Sequence, residues 1–535
     1  MPLPTALTPL RHPAFRLLWT ANLVSNTGMW MQNTGAGWLM TSLAPSPVMV
    51  SLVQVASLLP VFLLALPAGA MADIVDRRAY LIAAQGWIAL MGTGLALLTL
   101  GGAIGPWGLL FFTFAIGAGS AMNFPAWAAT TPELVPRPDI PQAVVLNGIG
   151  FNLTRAVGPA LGGFTVAAAG PEATFALNAV CFGAVILALL AWRREAPGAT
   201  LPKEHFLSAV RAGVGYVRAS PIMRAAIIRG TAFFFFGAAV WGLLPLLVRQ
   251  QLGLGPEAFG LMLGAMGVGA VGAGFVLPLL RNRLGHGATV LAASALACVA
   301  LVLLGQSWHW APGILAMLLY GVSWITGAST LQASAQLASA SWVRARSIGI
   351  YQVFTFGALA AGTTLAGIAG QVLGLPLTLG AAGVLCLASG LLVRHLSIDL
   401  TPAAAAVSGT AAVPQPEPAA SELASLLHGE SGRVLEAVRF RIDPADRAGF
   451  LSAMAECRRV RLRNGALGWR LYEDVAHPES WVELWAVESW TAHLREEGRM
   501  TEADRAALAR AAAFHRGENP PEAARYLNVH PSPGG

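Results

Sequence analysis

Arg155 lies thirteen residues beyond Gln142, inside an apolar stretch of this 535-residue chain. If the stretch is helical, a rise of about 1.5 Å per residue carries the guanidinium about 20 Å along the axis. A charge held there can attract an anion, or it can bind carbonyls at a kink and nearby asparagine side chains. The residue type permits both. Amides stand in similar stretches at Asn22, Asn26, Gln32, Asn33, Gln54, Asn147, Asn152 and Gln352. Asn22 and Asn26 are one helical turn apart, and Asn26 shares a face with Asn33. Such groups line a wet cavity or hydrogen-bond one helix to another. The candidate cavity set is Asn22, Asn26, Asn33, Gln54, Asn147, Asn152, Arg155 and Gln352.

Two further strings bear on movement rather than binding. One is Gly69-Ala70-Met71-Ala72-Asp73-Ile74-Val75-Asp76-Arg77-Arg78. Gly69 lets helices approach closely, and Asp73 can face the positive N-terminal end of a second helix, here one starting near Ser347. The other is Gly158-Pro159-Ala160-Leu161-Gly162-Gly163. Pro159 has no amide hydrogen, so the carbonyl of Arg155 loses its helical partner and a kink is favoured. The later hairpin Arg281-Asn282-Arg283 keeps the bases but has Asn282 where Asp73 would fall.

The elements that must carry these residues are membrane spans. The chain is 55% hydrophobic and 11% charged, unlike an ordinary soluble enzyme. Apolar runs long enough to cross a bilayer are predicted at 15–41, 48–72, 79–100, 107–130, 143–169, 173–192, 223–248, 259–280, 288–305, 310–333, 347–373 and 376–393. Arg11, Arg77, Arg78, Arg137, Arg193, Arg194, Lys203, Arg211, Arg218, Arg281, Arg283, Arg344, Arg346 and Arg394 fall at one face, and essentially only Arg249 at the other. Both termini are therefore expected in the cytoplasm of a multi-pass inner (plasma) membrane protein. The first span is expected to serve as an uncleaved targeting segment. The net charge of +7 sits beside the spans, so it reads as a topology signal and not as a nucleic-acid surface. Four scattered cysteines have no ligand or disulfide spacing, and neither a metal nor a cofactor is expected. Arg229, near a span end, is expected to snorkel. A shift of about 209 positions places Gly28 on Gly237 and Pro47 on Pro256, as in parallel-repeat transporters.

The hairpin Gly69–Arg78, with a glycine, an acid and paired bases, resembles the loop between the second and third helices of the major facilitator superfamily. The fifth-span Gly158–Gly163 string resembles the antiporter motif of that superfamily's exporters. Together with Pro132-Glu133-Leu134-Val135-Pro136-Arg137, Asn147, Asn152 and Arg155, these strings are similar to the enterobactin-exporter branch, the transmembrane secretion effectors, over roughly residues 10–395. The resemblance implies an all-α twelve-helix fold of two six-helix bundles, residues 1–195 and 223–396, joined by 196–222. It also implies alternating-access, proton-coupled export of small amphipathic molecules, siderophores or drugs. Gly69, Asp73, Asp76, Arg77, Arg78, Gly158, Pro159, Gly162 and Gly163 would then be the moving parts. Many proton antiporters carry an acid in their early helices. Here the first span has none, which leaves Asp73 and Glu133 as the coupling candidates.

Residues 397–430 form an Ala/Pro-rich linker, and 431–530 read as a soluble α+β domain in the order βαββαβ, which is ferredoxin-like. The Glu488-Ser489-Trp490 junction with His493 resembles antibiotic-biosynthesis-monooxygenase domains, which pair as dimeric α/β barrels. Trp469, Trp481, Trp485 and His493 could bind or oxidise a cargo. Tryptophans on alternating strands are more often core, so the tail is expected to regulate, sense or self-associate rather than catalyse. The expected partners are the lipid bilayer, a small-molecule substrate and a second tail. An importer or facilitator on the same fold, and a membrane-anchored enzyme or sensor, are the alternatives.

Overall fold

The structure, a computed structural model, describes residues 5–192, 206–340, 343–399, 433–490, 493, 500 and 502–528. The helices α1 (Pro13–Leu43), α2 (Pro47–Ile74), α3 (Arg77–Leu100), α4 (Pro106–Thr130), α5 (Ile140–Ala169) and α6 (Pro171–Ala191) come first. Then follow α7 (Phe206–Ala219), α8 (Pro221–Gly237), α9 (Ala239–Leu246), α10 (Pro256–Gly305), α11 (Trp310–Leu337), α12 (Arg344–Leu373) and α13 (Leu375–Leu392). Proline stands at the start of α1, α2, α4, α6 and α10, where a missing amide hydrogen costs no helical bond. Asp76 caps α3, its carboxylate accepting from the Ala79 amide at 2.9 Å.

Among the described residues, eight helical segments are long and apolar enough to cross a membrane. The longest, α10, runs 50 residues and is interrupted at Gly285, whose φ of 78° only glycine adopts without strain. That break falls between the runs predicted at 259–280 and 288–305. The run predicted at 223–248 is α8 followed by α9 and a π turn, Leu247–Gln251.

The chain divides into two compact units. In the first, Met1–Pro202, Ala225–Ser334 and Tyr351–Ile398, α1 packs on α5 and α6, α3 on α4 and α6, α2 on α4, and α10 on α5 and α13. Arg229 does not snorkel. It is 3% exposed and donates to the carbonyls of Gly287 at 2.6 Å and Leu396 at 3.3 Å. Leu396 lies past the end of α13, where carbonyls lack helical partners, so a buried guanidinium is a better donor than water can be.

The second unit comprises Lys203–Arg224, Ala335–Ile350 and Asp399–Gly535. Its sheet holds β1 (Val434–Arg441), β2 (Gly468–Glu473), β3 (Ser480–Val487) and β4 (Glu522–Leu527), antiparallel in the order β2-β3-β1-β4. Helix α14 (Arg447–Arg463) joins β1 to β2, and α15 (Glu502–Ala512) lies between β3 and β4. Alternation along β3 buries Trp481, Trp485 and Val487, which pack with Phe450, Met454 and Cys457 of α14 and Leu508 of α15. Two polar contacts share this interior. His493 lies 2.6 Å from Glu436, and Glu483 accepts from Trp469 at 2.8 Å and Arg461 at 3.4 Å. Helix α7 packs on α14. Its Tyr216 hydroxyl accepts from the Ala340 amide at 3.0 Å and donates to the Ala338 carbonyl. The first turns of α12 close on α7 where a Cβ at Gly213 would stand 3.0 Å from Arg346.

Burial pushes the Cys457 thiol up to about 12. The native thiol is therefore expected to resist N-ethylmaleimide at pH 8 and to react at once in denaturant, as mass spectrometry would read. Between about 8.5 and 12 the thiol ionises only in the unfolded chain, so its contribution to the domain's stability is present below about pH 8.5 and is lost as pH rises. Fast native labelling would contradict this packing.

Candidate functional site

Arg155 sits on α5 one turn before Pro159. Its guanidinium carbon lies 5.9 Å from the ring centre of Trp30 on α1, 5.5 Å from Trp241 on α9 and 5.7 Å from Trp324 on α11. The rings also meet each other, Trp30 with Trp241 at 6.3 Å and Trp241 with Trp324 at 5.6 Å. Behind them Tyr320 lies 5.8 Å from Trp324 and donates its hydroxyl to the Gly237 carbonyl at 2.6 Å. Phe233 and Phe234 back Trp324 from α8. The run Phe233–Phe236 is thus partly packing for the site.

The magnitudes explain how an arginine rests there. Placing the charge at a span's centre costs about 2.5–3.5 kcal/mol on insertion scales. Each cation–π contact returns about 0.5–2 kcal/mol. Three rings therefore hold the charge without an acid. They do not satisfy its five N–H donors. Among the described residues none of these donors makes a hydrogen bond to the protein.

The guanidinium borders a recess of about 200 Å³ shared with Trp30, Trp241 and Leu263. Those three residues also line a cleft of about 510 Å³, with Asn33, Gln54 and Phe259 on its walls. The structure thus puts Asn33 and Gln54 on the cleft that adjoins the recess of Arg155. The other candidate amides lie elsewhere. Asn26 donates to the Asn22 carbonyl at 2.9 Å, Asn152 to the Gly148 carbonyl at 2.9 Å, and Asn147 to the Thr131 hydroxyl at 3.0 Å. Gln352 is half-buried on α12, outside both linings. Gln32 is buried and takes a hydrogen bond from Asn178. Sequence reasoning missed Trp30, Trp241, Trp324 and Tyr320. A signal for one was present: Trp30 lies between Asn26 and Asn33 on a single face of α1.

The glycine string of α5 makes close seams. A Cβ at Gly158 would stand 2.6 Å from that of Trp30, and one at Gly162 would meet the Met31 backbone at 2.8 Å. One at Gly163 would meet the Pro256 carbonyl at 2.5 Å and the Gly260 Cα at 2.8 Å. Gly163 therefore joins α5 to the start of α10. At the same end Arg249 donates to Thr41 at 2.8 Å and Ser42 at 2.5 Å, its guanidinium lies 5.7 Å from Trp38, and Trp38 stacks on Phe259. These contacts tie α1 and α5 to α9 and α10, bridging the first half of the helices to the second.

At the opposite end several contacts join elements of a single half. Arg77 donates to Glu133 at 2.6 Å, His12 lies 2.8 Å from Asp139, and Arg78 donates to the Leu189 and Leu190 carbonyls, both at 2.8 Å. In the other half Arg281 donates to Thr330 at 3.0 Å, and His286 lies 2.9 Å from Ser334. Gly69 and the side chain of Asp73 lie outside what the structure describes. Glu133, the other coupling candidate, is engaged by Arg77.

A family model described as transmembrane secretion effector matches residues 4–532. YfiS, an MFS-type transporter of Bacillus subtilis (strain 168), is 26% identical over 271 residues, 49% of this chain and 64% of its own length. A staphyloferrin A transporter of Staphylococcus aureus is 24% identical over 48% of this chain and 65% of its own length. The enterobactin exporter EntS of Escherichia coli O1:K1 is 24% identical over 60% and 76%. The matched region thus spans just under two thirds of the first two relatives. Among solved structures, a POT family transporter bound to 5-aminolevulinic acid superposes with a TM-score of 0.61 at 13% identity, over 72% of this chain and 96% of that one. An inward-facing bacterial homologue of the iron transporter ferroportin gives 0.54 at 17%, over 72% and 97%. At these identities the likeness is one of fold.

Gly163→Val must push α5 off α10, and overpacking of this kind costs about 1–3 kcal/mol. We expect a lowered Tm and severalfold faster maleimide labelling of a reporter, Asn33→Cys, in the cleft. Unchanged Tm and labelling would rule out the seam.

Proposed function

The chain belongs to the transmembrane secretion effector family of major facilitator transporters, and on that premise we propose that it exports small amphipathic molecules, siderophores or drug-like compounds, by alternating access. The observation that carries this reading is the Arg155 guanidinium, held between three tryptophan rings beside a cleft, with donors left for a ligand. An anionic group would take those donors while an apolar or aromatic body lies against Trp30, Trp241 and Phe259. Two relatives, one termed an enterobactin exporter and the other a staphyloferrin A transporter, favour siderophores.

In this reading twelve spans cross the inner membrane: α1 to α6, α8 with α9, the two parts of α10, and α11 to α13. Both termini are cytoplasmic. The end joined by Arg249, Thr41 and Ser42 then faces outward. Gly163 is the surface on which the halves rock, Gly158 and Gly162 hold α5 to α1 within one half, and the proton-motive force drives the cycle. Proton coupling through Asp73 or Glu133, which kinship implies, would have to act from helix ends rather than at the cleft.

The tail is a ferredoxin-like module related to antibiotic-biosynthesis monooxygenases, serving regulation, ligand sensing or self-association rather than catalysis. Its order of elements supports this, and so does the grouping of α7 and the start of α12 in the same unit. A ligand or second copy bound there would act on elements that continue into the spans.

Everted membrane vesicles energised by respiration should accumulate enterobactin or staphyloferrin A. Hydrogen bonds to a charged group contribute about 1.5–3 kcal/mol, so Arg155→Gln should slow entry of the anionic cargo about 10–100-fold. Equal rates for native and variant protein with every anionic cargo would remove Arg155 from the site. Accumulation by intact cells instead of everted vesicles would make the protein an importer.

A further inference from the structure

Resting on the export reading above, we infer that the electrical part of the proton-motive force drives this transporter, through the negative charge of a cargo neutralised by Arg155, with no proton exchanged. The first ground is where the acids lie. In the described helices up to α13 the carboxylates are Asp73, Glu172 and Glu257, each within two residues of a helix end. Asp76, Glu133 and Asp139 stand between these helices, Asp76 capping α3, Glu133 engaged by Arg77 and Asp139 lying 2.8 Å from His12. Among the described residues no carboxylate lines the recess that Arg155 borders.

The second ground is the chemistry of the charge that does lie there. A guanidinium keeps its proton throughout the physiological range, so Arg155 can bind and release an anion but cannot carry protons. Tryptophan rings suit such a role, because they stabilise the cation without neutralising it. Tyr320 faces the same group and has its hydroxyl donated to Gly237.

The charge count follows. The loaded site, one guanidinium and one monoanion, is neutral and crosses without electrical work. The empty site carries one positive charge, and an inside-negative potential favours its return to the cytoplasmic side. Each turn moves one negative charge outward and needs no co-substrate. One charge moved through about 100 mV corresponds to about 2.3 kcal/mol, or about a fifty-fold concentration ratio.

The full-length protein in proteoliposomes can be tested with naphthalene-1-sulfonate, an aromatic anion that stays ionised at any usable pH, and with neutral naphthalene-1-sulfonamide. A potassium diffusion potential of about 100 mV should concentrate the sulfonate toward the positive compartment, approaching fifty-fold. A pH gradient with the potential clamped at zero should concentrate neither compound. Concentration of the sulfonate by the pH gradient alone, or sulfonate transport indifferent to potential, would overturn potential-driven export and leave the export reading standing. Movement of the sulfonamide but not the sulfonate would overturn the anion site. If the native protein moves neither compound under either gradient, the export reading falls as well.

Discussion

A positive charge inside a bundle of apolar helices needs something to lean on, and for Arg155 that support is three indole faces. The choice shapes the site around it. An aspartate would have closed the guanidinium into an ion pair and left nothing for a ligand. Rings meet the cation face-on and leave its donors at the edge, so one residue is tolerated by the membrane and still able to bind. The rings come from α1, α9 and α11, which means that the site exists only when both halves of the helices are assembled.

The seams of α5 connect this site to movement. The same helix carries Arg155 and, within the next eight residues, the glycines that touch α1 and α10. A shift of α5 against α10 therefore cannot leave the guanidinium where it is. At one end, side chains from both halves are interlocked around Arg249. At the other, Arg77 engages Glu133 within the first half, and Arg281 engages Thr330 within the second.

Much of this was legible in the sequence, unevenly. Arg155, Asn33 and Gln54 drew attention as polar groups in apolar runs, and the structure puts Asn33 and Gln54 on the cleft and Arg155 on the adjoining recess. The strands of the tail followed from alternation, which the burial along β3 reproduces residue by residue. The ring cage was not legible, because Trp30, Trp241 and Trp324 are far apart in sequence and tryptophan in a membrane helix is unremarkable alone. Asn26 and Asn152 misled for a local reason: each turns back on its own helix, a bond that spacing cannot distinguish from one across a cavity. Arg229 was read from its position at a span end, whereas its partners, Gly287 and Leu396, come from distant segments.

The most direct measurement is a titration of tryptophan fluorescence in the purified full-length protein with an aromatic anion such as naphthalene-1-sulfonate. A ligand seated on Arg155 lies against Trp30 and Trp241, so saturable quenching is expected in the native protein, together with its loss in Arg155→Gln, whose indoles are all intact. Quenching that saturates identically in the two proteins would mean that the guanidinium does not hold the ligand, and the account would be wrong at its centre.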